Sequence, residues 1–256
     1  MPYATVGAQR LFYARAGHRT TGGLTLVLIH GAGGSRLHWP AALRRLPGAS
    51  VYAIDLPGHG RSAGPGCDSI AGYVAAVIGL LDATETARAV WVGHSMGGAI
   101  AQMAALRHPA RVAGLVLIGT SAHLAGATEL LASAAYDFEN AVEALARRAW
   151  ADDAPPALVQ LSRQAIAQLP PAVLHGDLLA CRAFDLRAQL GDIEAPALVI
   201  AGTADRLTPH IHSVQLAQGL PHARLVSVPG AGHMIALEHP DLVADAVNDW
   251  IKAGHV

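Results

Sequence analysis

The chain of 256 residues has almost no lysine, since Lys252 is the only one. That scarcity removes two chemistries: a phosphate-binding G-x-x-x-x-G-K-[ST] loop is absent, and a Schiff-base lysine has no candidate. Cysteine is nearly as rare. Cys67 and Cys181 stand far apart with no C-x-x-C between them, which argues against a disulfide framework and a thiolate metal site. Charge is sparse as well: 14% of residues are ionic and the formal net charge is -1, so no basic field exists to attract nucleic acid or an anionic membrane. No uncharged apolar run approaches the roughly 18 residues that a membrane helix needs. The N-terminal stretch MPYATVGAQRLFYARAGHRT lacks the basic-then-apolar order of a secretory signal. Internal repeats and low-complexity tracts are missing. These absences lead us to expect a soluble protein of a reducing compartment, the cytoplasm, with no nucleic-acid partner and no membrane insertion.

What the chain has in quantity is apolar side chains, 52% of the total, enough for one large domain or a domain with an insertion. They are arranged in short runs. Residues 24–29 (LTLVLI), 51–54, 89–92, 111–118 and 196–201 read as strands buried on both faces, with 224–228 as a further strand. Residues 68–82, 96–106, 209–218 and 240–251 read as helices. Short strands alternating with helices predict an α/β fold: a doubly wound, mostly parallel sheet. Between residues 121 and 189 the strand-like runs vanish, and Ala, Leu, Glu and Arg dominate. We expect three to five helices there, inserted between two strands and punctuated by Pro155–Pro156 and Pro170–Pro171. The flanking segments, 1–120 and 190–256, form the sheet-bearing core.

The glycine-rich stretches fall at the C-terminal ends of strands, the edge where open parallel sheets bind ligands. One of them is GHSMG, residues 93–97. A strand that turns directly into a helix forces its corner residue into a strained conformation and demands small neighbours, which accounts for Gly93 and Gly97. The gain is an exposed Ser95 hydroxyl beside the helix's first unpaired N–H groups and the positive end of its dipole. A serine hydroxyl is a poor nucleophile unless a base takes its proton and an acid orients that base. Asp205, in GTAD, and His233, in GAGH, end the last two predicted strands and open on the same sheet edge. Ser95, Asp205 and His233 are therefore the candidate catalytic residues. Glu238 is a rival carboxylate, but its place beside Pro240 suits a structural cap.

The loop HGAGGS, residues 30–35, supplies backbone donors: the Ala32 N–H is expected to join that of Met96 in holding an oxyanion, with Gly31 as the fallback. His30 reads as a loop-packing residue. A dinucleotide fingerprint, G-x-G-x-x-G, would need glycine where Arg36 stands. Asp55, followed by Pro57, Gly58, Gly60 and Ser62, reads as a turn stabiliser. His210 and His212 diverge on a helix and read as exposed side chains, not metal ligands. No metal or cofactor is expected. His123 and Met234 lie close in sequence to the site loops and are candidates for substrate binding.

Taken together, HGAGGS, DLPGHGRS, GHSMGG, GTADRLTP and GAGHMIALEHP resemble the α/β-hydrolase superfamily, in five ordered motifs spread over most of the chain. The resemblance implies that residues 121–189 form a helical cap over the site. It implies Ser95, Asp205 and His233 as the triad and Ala32 and Met96 as oxyanion donors. Serine at the corner sets the chain apart from related dehalogenases and epoxide hydrolases, which carry Asp there. Esterases, enol-lactonases, thioesterases, carbon–carbon bond hydrolases and perhydrolases stay open, as does a low-turnover small-molecule receptor. The expected reaction is cleavage of a small carboxylic ester through an acyl-enzyme. The natural substrate and the oligomeric state are not legible.

Overall fold

A computed structural model describes residues 2–17, 23–124 and 126–255. Its strands are β1 (Tyr3–Val6), β2 (Gln9–Ala16), β3 (Leu24–Ile29), β4 (Ala49–Ile54), β5 (Ala89–His94), β6 (Val112–Ile118), β7 (Ala197–Gly202) and β8 (Ala223–Val228). They form one eight-stranded sheet in the order β1-β2-β4-β3-β5-β6-β7-β8. The β1–β2 and β2–β4 pairs are antiparallel, and every later pair is parallel.

The apolar runs form central strands because both faces of the sheet are covered. In β3, Val27 and Ile29 point into one core while Leu26 and Leu28 point into the other; Val199 and Ile200 divide in the same way on β7. Helices Ile70–Ala83 and Met96–Arg107 close the first face, and helix Pro240–Trp250 closes the second. Alternation at a period of two therefore exists in these strands, but with both sides buried it leaves no polar residues to reveal it.

Helix starts follow local chemistry. The Ser69 side chain accepts the Gly72 N–H, so the helix begins at Ile70, two residues later than the apolar pattern suggests. Between β6 and β7 lie helices Ala127–Tyr136, Phe138–Arg148, Pro156–Ala167 and Pro171–Ala183. Asp137 caps the second of them through the Asn140 N–H. Pro156 and Pro171 open the last two, at a position where a missing N–H costs nothing.

Register aligns the strand ends. Ile29 pairs with Gly93, His94 with Ile118, Ile118 with Ile200, and Gly202 with Val228. The loops that leave β3, β5, β6, β7 and β8 therefore meet at one edge of the sheet.

Candidate active site

β5 runs into helix Met96–Arg107 through a single residue, Ser95, whose backbone has φ 54° and ψ -118°. A positive φ is costly for a residue with a Cβ, and the surrounding backbone holds it in place. The Ser95 N–H donates to the Ile118 carbonyl at 3.0 Å, and its own carbonyl accepts from the Gly98 N–H and the Thr120 hydroxyl. Glycine is required on each side for different reasons. A Cβ on Gly93 would lie 2.2 Å from the Gly97 carbonyl oxygen, whereas one on Gly97 would lie 2.0 Å from the carbonyl oxygen of Ile29 in the neighbouring strand. From Ala89 to Gln102, Ser95 is the one residue that is not buried.

The acid and base loops meet beside it. His233 Nδ1 lies 2.8 Å from Asp205 Oδ2, and both side chains are buried. The other Asp205 oxygen accepts the N–H groups of Leu207 and Thr208, each at 2.8 Å. A carboxylate gripped in this way accepts a hydrogen bond from Nδ1–H and leaves the Nε2 lone pair free. The His233 loop is tied down on three sides. Ala149, just after helix Phe138–Arg148, accepts the N–H groups of both His233 and Met234. His94 Nε2–H donates to the His233 carbonyl at 2.9 Å. Glu238 accepts the Gly232 N–H at 2.8 Å, which corrects its expected role: it clamps this loop, and His239 occupies the cap position of the last long helix.

Ser95 and His233 line one cleft of about 680 Å³, counted out to its mouth. The inserted helices supply its apolar wall, including Leu130, Leu145, Ile166 and Leu178. Met234 lines it. His123 does not. Its Nδ1 lies 3.1 Å from the Phe184 carbonyl, and its ring faces two neighbouring grooves with His212, so its expected place in the pocket is corrected.

The loop after β3 offers N–H groups selectively. The Gly33 N–H donates to Asp177 and the Gly34 N–H to the Gly31 carbonyl. Among the described residues, the N–H groups of Gly31, Ala32 and Met96 have no protein acceptor. His30 packs the loop from beneath: its Nε2 accepts the Leu56 N–H and its Nδ1 donates to the Gly31 carbonyl. Burial holds this imidazole well below its ordinary pKa and therefore neutral. Asp55 does more than stabilise its own turn, because it accepts the Arg36 N–H, the Arg36 guanidinium and the Arg61 N–H.

Two histidines that the sequence did not single out also line the cleft. Burial, reinforced by His59, pushes His38 down to about 4. Burial and the neighbouring His233 hold His94 well below the usual range. His38 belongs to no spacing motif, and His94 fills a variable position of GHSMG, where the spacing does not specify the residue. Among the described residues that line the cleft there is no lysine or arginine.

Known proteins resemble this chain in sequence and in fold. The chain is 34% identical over 250 residues to a pimeloyl-[acyl-carrier protein] methyl ester esterase of Yersinia enterocolitica, with 90% of this chain and 94% of that protein covered. An enol-lactonase from Burkholderia xenovorans superposes with a TM-score of 0.90 at 27% identity, covering 98% of this chain and all of its own. A thermophilic esterase from Thermogutta terrifontis superposes at 0.88 with 26% identity, over 99% and 98% of the two chains. Residues 26–246 match the alpha/beta hydrolase family, and with the relatives aligned along nearly their whole length, the chain belongs to that family.

Proposed function

We propose that this carboxylic ester hydrolase cleaves small, uncharged esters through an acyl-enzyme on Ser95. The observation that carries the reading is the 2.8 Å pair between His233 and Asp205, whose imidazole lines the same cleft as the strained Ser95 corner. In this reading His233 Nε2 takes the Ser95 proton as Oγ attacks the ester carbonyl. Asp205 holds the tautomer and stabilises the imidazolium. The Ala32 and Met96 N–H groups receive the developing oxyanion, each supplying about 10²–10³ in rate. His233 then protonates the departing alcohol. Water enters, gives its proton to His233 and releases the carboxylic acid, and the proton returns to Ser95. The inserted helices act as a cap, since their apolar side chains form the wall that excludes water from the acyl group.

The acyl group must suit a cleft walled by Leu, Ile and Met side chains, with no guanidinium or ammonium group among the described residues that line it. A carboxylate or phosphate on the acyl chain would be desolvated there without a lysine or arginine partner among the described lining residues. Among p-nitrophenyl esters, short neutral acyl groups should therefore exceed an otherwise matched ω-carboxylate ester in kcat/KM by about 10²-fold. Equal rates for the two would contradict the apolar-pocket reading. Lactones are the second reading, favoured by the close superposition on the Burkholderia enol-lactonase. They use the same carbonyl chemistry, and assays with neutral lactones beside the linear esters would rank the two.

A further inference from the structure

We infer that Asp177, on the inserted helix Pro171–Ala183, is a positioning residue for the oxyanion loop; this rests on the reading of Ala32 as an oxyanion donor. Asp177 sits in the middle of an apolar stripe with Val173, Leu174, Leu178 and Cys181, and it is fully buried. A carboxylate in such a place is costly unless every lone pair is used. Here three hydrogen bonds engage both oxygens. Oδ2 accepts the Gly33 N–H at 2.8 Å and His59 Nε2–H at 2.9 Å, and Oδ1 accepts the Tyr73 hydroxyl. His59 Nδ1 donates to the Pro57 carbonyl at 2.9 Å, so both ring nitrogens are donors and the ring is an imidazolium. Burial alone would lower the His59 pKa, but the facing Asp177 carboxylate overrides it and raises it.

A buried ion pair stabilises a fold little better than apolar side chains of the same shape. What this pair adds is connection. It joins an inserted helix, the 55–62 turn and helix Ile70–Ala83 to one backbone amide, that of Gly33. Gly33 adopts φ 68° and directly follows Ala32. The loop's own hydrogen bond, from the Gly34 N–H to the Gly31 carbonyl, ties it only to itself. Asp177 is the side chain that fixes the Ala32–Gly33 peptide against the rest of the molecule, and with it the direction of the neighbouring donor. Correct seating of the inserted helices is thereby coupled to a correctly aimed oxyanion site.

The test compares three changes in the full-length enzyme, reading kcat, KM, thermal midpoint and the rate of fluorophosphonate reaction. Asp177→Ala should lower kcat about 10- to 100-fold, with KM within about twofold, and slow phosphonylation in parallel. Asp177→Asn should recover most of that loss, because an amide oxygen still accepts the Gly33 N–H and the Tyr73 hydroxyl can accept from the amide. Tyr73→Phe removes a hydrogen bond of the same network without touching Gly33, so it should lower the midpoint and leave kcat within about threefold. If the lone charge left on His59 prevents Asp177→Ala from folding, His59→Leu/Asp177→Leu removes both charges, still strands the Gly33 amide and should show the same fall in kcat. The inference is overturned if kcat survives in the variants that strand the amide, or if Tyr73→Phe lowers kcat as much as they do. Failure of the nucleophile reading is distinguishable, since it would show as turnover retained in Ser95→Ala.

Discussion

Ser95→Ala should abolish turnover, lowering kcat by roughly 10⁶-fold while substrate affinity stays close to that of the native enzyme. The reasoning is geometric. The hydroxyl projects from a backbone corner that β6 and the following helix hold rigidly, so its removal leaves the cleft, the His233–Asp205 pair and the N–H donors in place. Alanine has the same backbone needs as serine, and the strain at φ 54° is borne equally by both. Thermal stability should therefore change little. Binding and the remaining donors alone retain roughly 10³–10⁴ of acceleration over water, which sets the residual rate expected in a sensitive assay. Kinetics on p-nitrophenyl esters, with ligand binding measured separately, check both halves of the expectation.

Asp205→Asn should cost about 10⁴-fold in kcat with little loss of stability. Asp205 performs two tasks with two oxygens. One accepts the Leu207 and Thr208 N–H groups and shapes the loop, and the other accepts from His233 Nδ1. Asparagine keeps an oxygen for the loop and presents its NH₂ to the imidazole. The ring must then accept at Nδ1, which places its proton on Nε2 and removes the lone pair that should take the Ser95 proton. Nitrogen NMR of His233 should report the exchanged tautomer, and the thermal midpoint should stay close to that of the native protein. A fall in kcat smaller than about tenfold would show that Asp205 does not orient the base.

The features legible in the sequence were those with a local cause. A strand buried on both faces must be apolar throughout, so β3, β5, β6 and β7 show themselves as runs. The Ser95 corner shows itself because it requires glycine on both sides, although the structure assigns the two glycines different reasons: Gly93 makes room within the corner and Gly97 makes room for β3. The edge strand β1 is less legible than β8 at the other edge. β1 is only four residues long and alternates between buried and exposed positions, so it gives no sustained pattern. The grouping of Asp177, His59 and Gly33 is not legible in the sequence because its contacts span up to 144 residues of chain. A carboxylate inside the apolar stripe of a helix was the one signal available. His123 and Glu238 were misread for a related reason: nearness in sequence to a site loop does not fix which way a side chain turns.

The most direct test of the catalytic centre is to treat the native enzyme with a fluorophosphonate and locate the adduct by tandem mass spectrometry. The expected result is one equivalent of label on Ser95, loss of esterase activity in proportion to labelling, and none of either in Ser95→Ala. Label on another residue, accompanied by the same loss of activity, would contradict the assignment of Ser95 as the nucleophile.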